Sequence, residues 1–145
     1  MLWRRSAKPI QTDSNGKDDT MNNTELPHQR LDAYKVAREI CMRVYAAKIS
    51  NAQLRDQAER AASSMFLQLA EGLPIESTGL RKKYFTESHA SLHELVAALD
   101  LASVSKFMNP AEAAAIIVLA ERERRMLRGL LQPRVKPAPN RVPMG

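Results

Sequence analysis

The chain has 145 residues, 44% hydrophobic and 26% charged, which is the profile of one ordinary globular domain with tails. Aromatic residues make up only 5%, glycines number 5 and β-branched residues are scattered, so the composition argues against a sheet, while the single cysteine, Cys41, excludes an intrachain disulfide and a cysteine-based zinc cluster. Twenty-two basic residues against 16 acidic ones leave a net charge of +6, which suits an anionic partner without requiring one.

Residues 1–27 are polar and lack apolar periodicity, and Arg4, Arg5, Lys8 and Lys17 cancel Asp13, Asp18, Asp19 and Glu25; the expectation is a disordered tail, with Met21 as an alternative start. No apolar segment follows the basic N-terminus, so no secretory signal is expected. From Pro27 to Ile49 the positions Leu31, Tyr34, Ala37, Cys41, Val44 and Tyr45, flanked by Val36 and Ile40, recur at helical spacing and predict a first helix. Ser50 or Asn51 can cap a second, striped by Leu54, Ala58, Ala61, Met65, Leu69 and Leu73 and closed by Gly72 and Pro74. Ser77 or Thr78 can cap a third, of roughly 28 residues, whose stripe is Tyr84, Phe85, Ser88, Leu92, Leu95, Val96, Leu99 and Ala102. Asn109 and Pro110 open a fourth, lined by Ala113, Ile117, Ala120, Leu127 and Leu131. Residues 132–145 carry Pro133, Pro137, Pro139 and Pro143 with Arg134, Lys136 and Arg141, a basic proline-rich tail that supplies half of the net charge.

The predicted fold is all-α, an antiparallel up-and-down four-helix bundle over 28–131 between two disordered tails. The longest apolar run, Ala113–Ala120, is less than half of the roughly 20 residues a membrane span needs, so a cytoplasmic protein is expected.

Catalytic chemistry leaves no signature. Phosphate-cradling and nucleophile-elbow glycine motifs are absent, and Cys41 lies on an apolar stripe, where packing is the better reading. His89 and His93 stand four apart, as metal ligands can, but the spacing matches neither the zinc-protease nor the di-iron pattern, and no metal or cofactor is expected. Two basic clusters remain. Arg81, Lys82 and Lys83 open the third helix, where the macrodipole already disfavours cations, while Arg124, Arg125 and Arg128 crowd the end of the fourth, offset by Glu121 four residues before Arg125. Both point to phosphate contact; a solvated charged face, with Glu76 offsetting the first cluster, is the alternative. Ala61, Ala62, Ser63 and Ser64 form a thin surface suited to close helix approach, inside the bundle or between chains. Glu71, acidic at a helix C-terminus, calls for a partner such as Arg60 or the Arg81–Lys83 cluster.

The stretch Asp56-Gln57, Arg60-Ala61-Ala62, Ser64 and Leu69-Ala70-Glu71-Gly72, then Ser77, Ala90-Ser91 and Glu94-Leu95, resembles the bacterial four-helix family encoded in intervening sequences of large-subunit ribosomal RNA genes. That family's pattern is DQ-x-x-RAA-x-S-x-x-x-NIAEG, a serine five residues on, then GS-x-x-EL. Leu31, Tyr34, Ala37, Arg38, Glu39 and Tyr45 agree with its first helix, and the similarity runs over roughly residues 30–106. Gln68 and Leu69 stand in place of Asn and Ile, Ala90 in place of Gly, and Leu80 in place of an acidic residue. The resemblance, shared in architecture with the accessory variability protein of diversity-generating retroelements, implies an antiparallel four-helix protomer, a homopentameric ring, nucleic acid as a partner and no enzymatic activity. The expected function is therefore a non-enzymatic homo-oligomer binding RNA or DNA through Arg81, Lys82, Lys83, Arg124, Arg125 and Arg128. The alternative is a scaffold that displays residues 132–145 to a protein partner.

Overall fold

A computed structural model of the chain describes residues 27–132. The two expected tails lie outside them, apart from Pro27, which opens the first helix, and Gln132, which caps the last. Four helices follow one another: α1 (Pro27–Ala46), α2 (Ala52–Gly72), α3 (Thr78–Val104) and α4 (Pro110–Leu131), with no strand among the described residues. The connections 47–51, 73–77 and 105–109 are too short for anything but a reversal, so consecutive helices run antiparallel. Each helix packs on its chain neighbours, and α1 against α4 closes the bundle.

Local chemistry explains the boundaries. Asn51 caps α2 by accepting from the Leu54 amide at 2.9 Å, and Asn109 caps α4 by accepting from the Ala111 amide at 2.8 Å, with Pro110 in its first turn. Ser77 precedes α3 without a side-chain cap bond. The first helix ends at Ala46, short of the expected Ile49, because the chain must reach the extended backbone of Asn51. Ala47 and Ile49 stay buried and plug that end of the core.

The α1 stripe also differs from the expected one. Its core face is Ala33, Val36, Ala37, Ile40, Cys41 and Val44, whereas Leu31 and Tyr45 are 46% and 54% exposed. Two overlapping apolar sets share this helix, and contact with α2 and α4 selects one of them. On α4 the buried positions are Ala113, Ile116, Ala120, Glu123 and Leu127, so Ile116 replaces Ile117 and an acidic residue sits in the core stripe.

The small residues of α2 serve packing inside the bundle. Ala58, Ala61 and Ala62 are buried, the Cys41 thiol donates to the Ala62 carbonyl at 3.1 Å, and Ser64 and Ser91 hydroxyls meet at 2.8 Å. Across the same α2–α3 seam the buried Ser88 hydroxyl donates to the Met65 carbonyl at 2.7 Å. Gly72 is buried within α2 and does not adopt a left-handed conformation; a Cβ there would lie 2.8 Å from the Phe85 ring and 2.9 Å from Tyr84 Cβ. Its role is close helix approach, in place of the helix-ending geometry expected from its position.

Candidate functional site

The antiparallel arrangement brings the start of α1, the start of α3 and the end of α4 to one end of the bundle. Arg30 of α1 reaches across to donate to the Leu73 carbonyl at 2.9 Å, and Arg81 of α3 donates to the Ile75 carbonyl at 3.3 Å, which ties both guanidiniums to the α2–α3 connection. These two arginines line a cleft of about 400 Å³ with Lys82 and the last residues of α4, including Leu131 and Gln132. Lys83 is exposed on the same turn and does not line the cleft.

A second, shallower cleft of about 440 Å³ adjoins the first, with which it shares Leu131 and Gln132. It is lined by Arg124 and Arg128 from α4 and by His89 and His93 from α3. The two imidazole rings lie 5.0 Å apart. Burial, and then the positive field of His93, Arg124 and Arg128, hold His89 below the usual histidine range. Arg124 is paired with Glu121, its Nη2 3.0 Å from the carboxylate. That carboxylate was expected to offset Arg125; it selects Arg124, which is less exposed and where a lower local dielectric strengthens the pair. Arg125 is exposed and lines neither cleft.

Of the six candidate cations, Arg81, Lys82, Arg124 and Arg128 thus fall around two neighbouring clefts, with Lys83 and Arg125 on their outer slopes. No carboxylate is among the residues lining either cleft. The expected partners of Glu71 are not engaged: Arg60 sits 3.8 Å from Asp56, and Glu71 belongs to no ion pair among the described residues. Glu76 is likewise exposed and forms no ion pair with the α3 triplet.

Two features come from the fold. The i,i+4 spacing marks His89 and His93 only as a pair on one helix, and the α3–α4 seam places two arginines beside them. Glu123 was not singled out, although its spacing from Ala120 and Leu127 puts it on the buried stripe. Both its carboxylate oxygens are buried without a hydrogen-bond partner, and burial pushes its pKa up to about 8, against a small opposing effect of Arg122. Cys41 faces it from α1; burial first and the Glu123 charge second push the thiol up to about 12, which leaves it an inert packing group. No group of three or more metal-ligating side chains that could hold an ion occurs among the described residues, and no described helix is long and apolar enough to cross a membrane.

Residues 29–129 match the family model described as 23S rRNA-intervening sequence protein. The comparison with curated proteins finds no match.

Proposed function

The chain belongs to the 23S rRNA-intervening sequence protein family, and from that premise we propose that it is a non-enzymatic, cytoplasmic homo-oligomer that binds RNA or DNA through its phosphates. The observation that supports this reading is the pair of adjoining clefts. Four cations from α3 and α4 border them, with Arg30 of α1 at the rim; Arg124 is paired with Glu121, and the fields of Arg81, Lys82 and Arg128 add at this end of the bundle. Lys83 and Arg125 extend the same positive surface outward. Contacts of this kind fix a backbone without reading a base, so binding is sequence-tolerant.

Affinity for a generic RNA or duplex DNA should fall linearly on a log–log salt plot, with a slope set by the number of phosphates neutralised. Replacing Arg81, Lys82 and Lys83 together with glutamine should flatten that slope while circular dichroism and oligomer size stay unchanged. Deleting residues 132–145 should weaken binding in the same way, because three basic residues leave with them. Absence of binding to either nucleic acid at roughly 50 mM salt, where such association is strong, would overturn the reading in favour of the scaffold that displays residues 132–145.

A further inference from the structure

The second cleft is more than a length of positive surface. It gathers two guanidiniums and two imidazoles from two helices around one shallow hollow. The imidazoles are unusual neighbours for arginines. Cations nearby disfavour both a protonated histidine and a bound metal dication, and only two candidate ligands face the hollow, so a metal is the wrong occupant. His89 Nε2 is closed off from solvent and accepts or donates no hydrogen bond among the described residues. A ring held by no hydrogen bond can turn about its Cβ–Cγ bond and present a nitrogen to an oxygen entering the hollow. What relieves all of these groups at once is an anion.

We propose that His89, His93, Arg124 and Arg128 form a binding site for a phosphate monoester, the terminal phosphate of a nucleic-acid strand. The choice of ligand follows from donor density. A phosphodiester inside a strand offers one charge and two unesterified oxygens. A terminal phosphate offers three oxygens and close to two charges above its second pKa of about 6. Arg124 is partly neutralised by Glu121, which also borders the adjoining hollow beside His93, whereas Arg128 has no ion pair among the described residues. The Arg128 guanidinium, an Arg124 guanidinium paired with Glu121 and two imidazoles that can take up a proton therefore suit a dianion better than a monoanion. The Arg30, Arg81 and Lys82 cleft, continuous through Leu131 and Gln132, lies where the next phosphodiesters of the same strand would run.

Binding is coupled to a proton. Burial first, and then the charged groups that face it, His93 on its own helix and Arg124 and Arg128 on α4, hold the His89 imidazole below the usual histidine range when the site is empty. A dianion between them reverses that field and raises the imidazole pKa, so a proton is taken up with the ligand. Affinity is then greatest where the phosphate has lost its second proton and the bound imidazole still holds its own. It falls as pH rises through the imidazole pKa of the complex.

The source of the ligand rests on the nucleic-acid reading above, and the test separates the two. With the full chain, the imidazole titrations of His89 and His93 are followed by NMR with and without inorganic phosphate. Binding is then compared for one single-stranded oligonucleotide bearing a 5′-phosphate, a 3′-phosphate or hydroxyls at both ends. Phosphate should move the His89 titration to higher pH, and an end-phosphorylated strand should bind on the order of tenfold more tightly near pH 6.5, a preference lost near pH 8, since one unit of pKa shift is a tenfold change in affinity. Replacing His89 and His93 together with glutamine should abolish that preference and its pH dependence, with circular dichroism unchanged. If phosphate leaves both titrations unmoved and all three strands bind equally, the terminal-phosphate site is overturned while nucleic-acid binding stands. If no strand binds, nucleic-acid binding falls, and the phosphate response of the histidines alone decides whether the site takes a free phosphate monoester.

Discussion

Glu123 occupies a core position of α4 with its side chain fully buried and neither oxygen partnered, and the energetic consequence can be signed. A carboxyl whose pKa is about 8 in the folded protein and near 4.3 in the unfolded chain favours folding most at low pH, where both states are protonated. Stability should therefore decline by about 1.4 kcal/mol per unit between roughly pH 4.5 and 8 and level off above that. Glu123→Met, similar in length and free of charge, should remove that decline, so that its advantage over the wild type is about 4–5 kcal/mol larger at pH 8 than at pH 4.5, since replacing a buried polar group with a packed apolar one is in itself neutral to stabilising. Urea unfolding of the two proteins across that range checks both statements. A wild-type stability that rises over this interval would show that the carboxyl is ionised in the fold.

At the scale of elements, the junctions decide more than the helices between them. Alanine at position 72 gains about 1 kcal/mol of helix propensity over glycine. Yet its Cβ would stand 2.8 Å from Phe85 and 2.9 Å from Tyr84 Cβ, where α3 leaves its connection, and overpacking of that kind costs about 1–3 kcal/mol. Gly72→Ala should thus lower the thermal midpoint, with the largest loss of amide-exchange protection at the α2–α3 turn. The α3–α4 turn works in the opposite sense. Lys106 holds a left-handed conformation, φ 63°, while its amide donates to Ser103 and the Phe107 amide donates to the Ala102 carbonyl at 2.8 Å. This is the two-bond helix ending that glycine normally occupies, with half-buried Phe107 as its apolar contact. Lys106→Gly should stabilise the protein by about 1 kcal/mol, read as an upward shift of the same midpoint, because the left-handed penalty disappears.

For the whole molecule, the apolar set that α1 leaves outside the core bears on assembly. Leu31, Met42 and Tyr45 recur at separations of 11 and 14 residues, which puts them on one side of α1, away from the buried face. Met42 is 64% exposed, and the Tyr45 hydroxyl meets Ser63 of α2, so the surface extends over both helices. Light scattering should find an oligomer, five chains if the family resemblance holds in full. Leu31→Glu with Met42→Glu should dissociate it without loss of helix, since neither residue contributes to the core. A strict monomer at micromolar concentration would remove the assembly and, with it, the steep salt dependence expected when several copies of the basic end bind one strand.

The sequence by itself determined the number, order and approximate limits of the helices, because hydrophobic spacing and caps such as Asn51 and Asn109 act within a few residues of themselves. It also carried the family, through the Asp56–Gly72 stretch, and the six candidate cations. Tertiary structure alone decided which of two apolar stripes on α1 faces inward, that Gly72 is a point of close approach, and that Glu121 serves Arg124. It alone joined His89 and His93 to Arg124 and Arg128. Apart from the Glu121–Arg124 pair, which lies within α4, each of these depends on the rotation of one helix against another, which is fixed by packing between residues tens of positions apart. A local pattern of hydrophobicity specifies that a helix has an inner face, and only the neighbouring helices settle which face that is.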